Sequence, residues 1–137
     1  MKLESALAEL GQRWGIPLSL KQGAIKITDK QAREWFLECP EGSEVFTIHT
    51  ALNVRLTSAS DFEYWLALNT NREKLSCAWV GLYEGELSLG VSFPSDLLDD
   101  TQLENLFDNM YQLKQSLIST SMRESQTTSV NYNGVFV

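Results

Sequence analysis

Cysteine, histidine and proline are scarce in this chain, at two, one and three of 137 residues. Cys39 and Cys77 are isolated, with no CxxC pattern, and a lone His49 beside two dispersed cysteines cannot assemble an ordinary zinc site. The two thiols could pair with each other; the preferred reading is core thiols in a reducing cytoplasm. Basic residues are also few, eleven against eighteen acidic, for a formal charge of −7 and an isoelectric point near 4.6. Nucleic-acid binders gather Lys and Arg to neutralise phosphates, and no such run exists, so no nucleic-acid partner is expected. The same sign disfavours an anionic membrane surface. Long apolar runs are missing as well: the longest, Cys77 to Tyr83, is far too short to cross a bilayer. Glu4 and Glu9 stand where a signal peptide needs unbroken apolar residues. These absences predict a cytoplasmic protein that engages neither membrane nor nucleic acid.

What is present suffices for one domain. The chain is 43% hydrophobic and 21% charged, with four Trp, six Phe and four Tyr to build a core. Leu3, Leu7, Leu10 and Trp14 share one helical face, predicting a helix from about Leu3 to Trp14 that Gly15 and Pro17 stop. Strand patterns follow. Leu18 and Leu20 lead to a turn at Lys21-Gln22-Gly23, Ile25 and Ile27 alternate with polar residues, and Glu34 to Cys39 reads as a further strand. From Glu44, Phe46, Ile48, Leu52, Val54 and Leu56 share one parity, with the second half of the run open to leaving the strand.

A capping box at Ser60-Asp61-Phe62-Glu63 predicts a second helix reaching about Asn69, with Asn71 in a left-handed conformation at its end. Ala78 to Tyr83 and Glu86 to Phe93 form a hairpin about Glu84-Gly85. A second capping box, Thr101-Gln102-Leu103-Glu104, opens a third helix whose stripe is Leu103, Leu106, Met110, Leu113 and Leu117. That stripe is read as facing the protein's own sheet, a coiled-coil seam being the alternative. The order α-β-β-β-α-β-β-α indicates an α+β domain over residues 1–119, an antiparallel sheet with helices packed on one face. The polar stretch 120–137 is expected to be a flexible tail.

No catalytic constellation emerges. His49 lies on the opposite strand parity from Phe46 and Ile48, so it is expected to point away from the core, and nothing near it resembles a triad. Asp96, Asp99, Asp100, Glu104 and Asp108 lack the alternating ligands and central Gly of a calcium loop, and read as complements to a helix N-terminus. Gly81, Gly85 and Gly90 belong to a hairpin and precede no helix, so they form no phosphate-binding loop. No cofactor, no metal and no enzymatic activity are expected. What remains is excess hydrophobicity: Trp35-Phe36-Leu37 and the Ala78-to-Tyr83 strand are apolar on both faces. A dimer partner or protein ligand is the preferred cover for the surplus face, a three-layer fold the alternative.

The chain resembles the class I type III secretion chaperones, the Tir chaperone-like family, over roughly residues 3 to 119. The resemblance is carried by the first helix ending in Trp14-Gly15-Ile16-Pro17-Leu18, by Ile25-Lys26-Ile27 and Glu34 to Leu52, and by Phe62, Trp65, Leu66 and Asn69. The Val80-Gly81-Leu82 to Gly85-Glu86-Leu87-Ser88-Leu89 hairpin and the final helix complete it. It implies a homodimer that binds the N-terminal segment of a secreted effector in extended form without ATP, and keeps it secretion-competent. It further implies effector contacts from the first helix and sheet, at Leu3, Leu7, Leu18, Leu20, Ile25, Trp35 and Leu37. The implied dimer interface is at Trp65, Trp79, Gly81 and Tyr83. A regulatory or sensory protein-binding domain of similar fold is the alternative.

Overall fold

The computed structural model describes residues 2–131, with side chains through Met122. Helix α1 (Lys2–Trp14) precedes a meander of β1 (Ala24–Thr28), β2 (Glu34–Glu38) and β3 (Val45–Ala51). Helix α2 (Ala59–Ala67), a 3₁₀ turn (Leu68–Thr70) and the four-residue α3 (Arg72–Leu75) lead to the hairpin β4 (Trp79–Tyr83) and β5 (Glu86–Pro94), and α4 (Asp100–Asn131) closes the order. The five strands lie in the order β1-β2-β3-β5-β4, every neighbour antiparallel. The expected α+β layout is borne out, with α3 as an addition.

One face of the sheet carries the core. Ile27 pairs with Trp35, Leu37 with Ile48, Ile48 with Val91 and Leu89 with Val80, so period-2 alternation puts these side chains on the same side. Leu3, Ala6, Leu7 and Leu10 of α1 and Leu103, Phe107, Met110 and Leu117 of α4 are buried with them. The Trp35 and Phe107 rings meet at 5.2 Å between centroids, joining β2 to α4. Arg13 bonds Asp100 at 2.8 Å and Trp14 Nε1 donates to Glu104 at 2.7 Å, fixing the end of α1 against the start of α4.

A polar clamp pins the β1–β2 turn to this layer. The buried Asp29 carboxylate accepts from the main-chain N–H groups of Gln31 and Arg33, from the Arg33 guanidinium and from Trp35 Nε1 at 3.0 Å. Arg33 continues to Asp108 of α4 at 3.0 Å and lies 4.5 Å over the Tyr111 ring. Burial alone would raise the Asp29 pKa. The hydrogen bonds from Trp35 and Arg33, with the Arg33 charge, outweigh it and hold the carboxyl below its usual range.

Both helix starts differ from expectation by two residues. Ser58, not Ser60, caps α2: its side chain accepts from Asp61 N–H, while Asp61 accepts from Thr57. Asp99 and Gln102, rather than Thr101 and Glu104, bond each other's main chains at 2.8 and 2.9 Å. In each case an earlier capping residue with a suitable side chain three positions on captures the orphan amides first. Asn71 is not left-handed; it caps α3 by accepting from Lys74 N–H.

Helix α4 runs on through Asn131 rather than ending at Ser119. The segment after Ser119 contains no Pro or Gly before Asn131, and extending a helix already nucleated and packed costs little per Ser or Thr. The expected tail beyond Asn131 lies outside the described residues. Cys39 is buried, as a core thiol should be, but Cys77 is exposed in the α3–β4 connection, and both are free thiols.

Candidate functional site

The sheet's second face is paved with aromatic rings. Across the five strands, Lys26 pairs with Phe36, Phe36 with His49, His49 with Gly90 and Gly90 with Trp79, a single row. Phe36 stacks on His49 at 5.2 Å, and Tyr83 reaches across to His49 at 4.5 Å. Trp79 lies over Gly90, its cross-strand partner, because the floor there is bare. A Cβ on Gly90 would fall 2.2 Å from the Trp79 ring, so only glycine leaves room there. His49 does point away from the core, as expected, yet it is buried beneath this paving, with Nε2 3.1 Å from Glu38 Oε1.

The Ala78-to-Tyr83 strand thus resolves its two apolar faces. Ala78 and Val80 enter the core, while Trp79, Gly81 and Tyr83 lie on the outer face. Of the expected dimer residues, Tyr83 keeps 39% exposure and Trp79 and Gly81 are half-buried. Trp65 is buried against the core instead, and its neighbour Leu66 (39% exposed) is the α2 residue that faces outward. Leu82, at the hairpin tip, is 55% exposed. The hydrophobic pattern of α2 located the helix without fixing its rotation, and so did not tell which of Trp65 and Leu66 faces outward.

The expected effector contacts divide sharply. Leu3, Leu7, Trp35 and Leu37 are wholly buried and Leu18 nearly so, which corrects the expectation of spare apolar surface there. Two helices, α1 and α4, share this face, and together they consume the apolar surplus that counting residues had left over. Leu20 and Ile25 stay half-exposed, and Ile16, overlooked in the sequence, is 36% exposed. Ile16 and Leu20 lie in the α1–β1 connection and Ile25 near the start of β1 itself.

The two sheet edges differ in their main-chain chemistry. In β1, Asp29 N–H bonds Arg33 O and Gly23 O accepts from Cys39, so odd-numbered residues face β2 and even-numbered ones face out. Ala24 spends its outward groups on Lys21, at 3.0 and 3.2 Å. Those of Lys26 and Thr28 receive no hydrogen bond from outside the sheet among the described residues. On β4, the Glu84-Gly85 turn, with both φ angles positive, makes Tyr83–Glu86 a bonded pair, so Val80 and Leu82 face out. There the Asn69 side chain accepts from Val80 N–H and donates to Val80 O, each at 2.8 Å.

No metal-ligating cluster of three His, Cys, Asp or Glu occurs among the described residues, and none of their helices is long and apolar enough to cross a membrane. Burial, with the nearby Glu4 and Asp96 charges, pushes the Cys39 thiol pKa up and disfavours its thiolate.

No curated protein matches the chain in sequence. Solved structures match in fold. A chain of the ExsC–ExsE complex superposes with a TM-score of 0.69 at 19% identity, covering 82% of this chain and 88% of that one. A chain of the HopA1–SchA chaperone–effector complex gives 0.63 at 14%, covering 81% and 88%. The structure of the Yersinia pestis type III secretion chaperone SycH with a fragment of YscM2 gives 0.60 at 13%, covering 84% and 98%. The Tir chaperone protein (CesT) family model matches residues 5–117. The chain belongs to the Tir chaperone protein family.

Proposed function

We propose that this protein is a type III secretion chaperone that binds the N-terminal segment of a secreted effector in extended form and keeps it secretion-competent, without catalysis or nucleotide. The observation that carries the reading is the open β1 edge. Lys26 and Thr28 offer main-chain donors and acceptors to an added strand, and the half-exposed Ile16, Leu20 and Ile25 offer apolar contacts for its alternate side chains. Main-chain bonding tolerates varied sequences, while the apolar contacts select among them. Family membership and the solved chaperone complexes of similar fold support the same role. The acidic surface keeps such a body soluble in the cytoplasm, its proposed location.

The test is hydrogen exchange on the complex, after pull-down from the native cell has identified the partner. One continuous stretch of the partner should gain protection, together with the amides of Lys26 and Thr28. Strand β2 already has β1 and β3 on either side, so it should change little. A partner recognised only as a folded domain, or a β1 edge that gains no protection, overturns the reading.

The same proposal includes a homodimer through α2 and β4, where Leu66, Leu82 and Tyr83 leave apolar area exposed beside Trp79. Light scattering at micromolar concentration should give about twice 15.5 kDa. Gly81→Arg, which sets a charge into a dry contact, should shift the protein toward monomer. A wild type that stays at 15.5 kDa at every concentration rejects the dimer.

A further inference from the structure

We infer that Asn69 is a positioning residue that locks the β4 edge, so that strand addition is confined to β1; for β1 the inference rests on the function proposed above, while the lock stands on its own geometry. An antiparallel sheet has two edges, and either can template another chain. On β4 the outward-facing residues are Val80 and Leu82, preceded by Ala78, whose N–H is bonded to Leu75 O at 2.9 Å. The Asn69 amide meets both main-chain groups of Val80. A side-chain amide carries one carbonyl and one NH₂ in a plane, so it can imitate the single residue that an added strand would have placed there. Bonding both groups of one residue also fixes its orientation, because the carbonyl must face the N–H.

The lock is itself held in place. Leu68 beside it is buried, and Arg72 donates to Asn69 O at 2.6 Å and to Ser76 O at 3.0 Å. The segment from α2 to α3 therefore lies along β4 and ends its ladder there. Among the described residues, Leu82 at the hairpin tip is the one β4 residue whose outward groups both stay open, and one residue cannot anchor a strand. On β1 the outward groups of Lys26 and Thr28 form a run with no such plug among the described residues.

Amide exchange on the full wild-type chain tests the lock without any partner. Val80 and Leu82 both face outward but differ in burial, so the comparison is of the Val80 amide alone, which should exchange up to roughly tenfold more slowly in the wild type than in Asn69→Ala, the effect of one retained hydrogen bond. Equal Val80 rates in the two proteins would overturn the lock. Asn69→Ala should also produce concentration-dependent species larger than wild type, through the freed edge. In Asn69→Ala/Leu82→Lys, a charge on that edge should return the mass to that of Leu82→Lys alone. Association that Leu82→Lys leaves untouched would mean that Asn69 serves only stability, and an unchanged mass for Asn69→Ala would mean that the edge needs no lock. Lys26→Pro blocks only β1, so adding it should leave the association of Asn69→Ala intact, which separates this inference from strand addition at β1.

Discussion

Replacing Asp29 by alanine is expected to cost about 3–5 kcal/mol, enough to unfold a large fraction of a domain of ordinary stability. The carboxylate is wholly buried, and its removal takes the acceptor from the Trp35 indole N–H and two main-chain amides and leaves the Arg33 guanidinium with Asp108 as its one remaining carboxylate. Trp35→Ala attacks the same junction from the apolar side, leaving a cavity against Phe107 and an Asp29 Oδ2 held by Arg33 alone, at a similar cost of about 3–5 kcal/mol. Urea titration followed by circular dichroism measures both losses; a midpoint within error of wild type for either would refute the clamp. The pH dependence has a definite sign. Asp29 is depressed in the folded state, so its contribution is present above the unfolded carboxylate value of about 3.9 and disappears as pH falls through the lower folded value. The stability gap between wild type and Asp29→Asn should therefore narrow as the pH is taken below about 4.

Lys26→Pro should weaken effector binding by roughly a hundredfold while moving the melting midpoint little. Proline removes the outward N–H and sets a ring where the incoming strand must approach, so more than one ladder bond is lost, each worth about 1 kcal/mol. The position tolerates it because the lost N–H has no partner inside the sheet, and edge strands accept proline on that side. Calorimetry with the purified partner segment gives the affinity and thermal melting gives the control. Undiminished affinity in a folded Lys26→Pro protein would place the effector elsewhere.

Much of the architecture was legible because the patterns that encode it are local. The α1 stripe, the alternation in β5 and the Glu84-Gly85 turn each fix an element within a short window, and their order gave the sheet and its helices. Rotation and competition were not local. Whether Trp65 or Leu66 faces the core depends on what α2 packs against, and Leu3, Leu7, Trp35 and Leu37 looked like spare surface until α1 and α4 were seen to share one face with them. The Asp29–Arg33–Asp108 link and the Asn69–Val80 pair join segments with no common pattern, so no spacing could announce them. Trp79 over Gly90 is different. A two-residue turn fixes the register of its hairpin, and an aromatic placed opposite a glycine was readable from that register.

The strand order also dictates a sequence of events in time. The β1–β2–β3 meander and the β4–β5 hairpin pair neighbours in the chain, but β3 joins β5 only across the whole excursion through α2 and α3. Loop-closure entropy makes that seam the late and slow contact, and it cannot form on the ribosome until β5 has emerged. For that interval β3 has an unpaired flank, although it becomes the most sheltered strand of the finished sheet. Nascent chains of this protein therefore pass through a stage in which their own centre is the sticky edge.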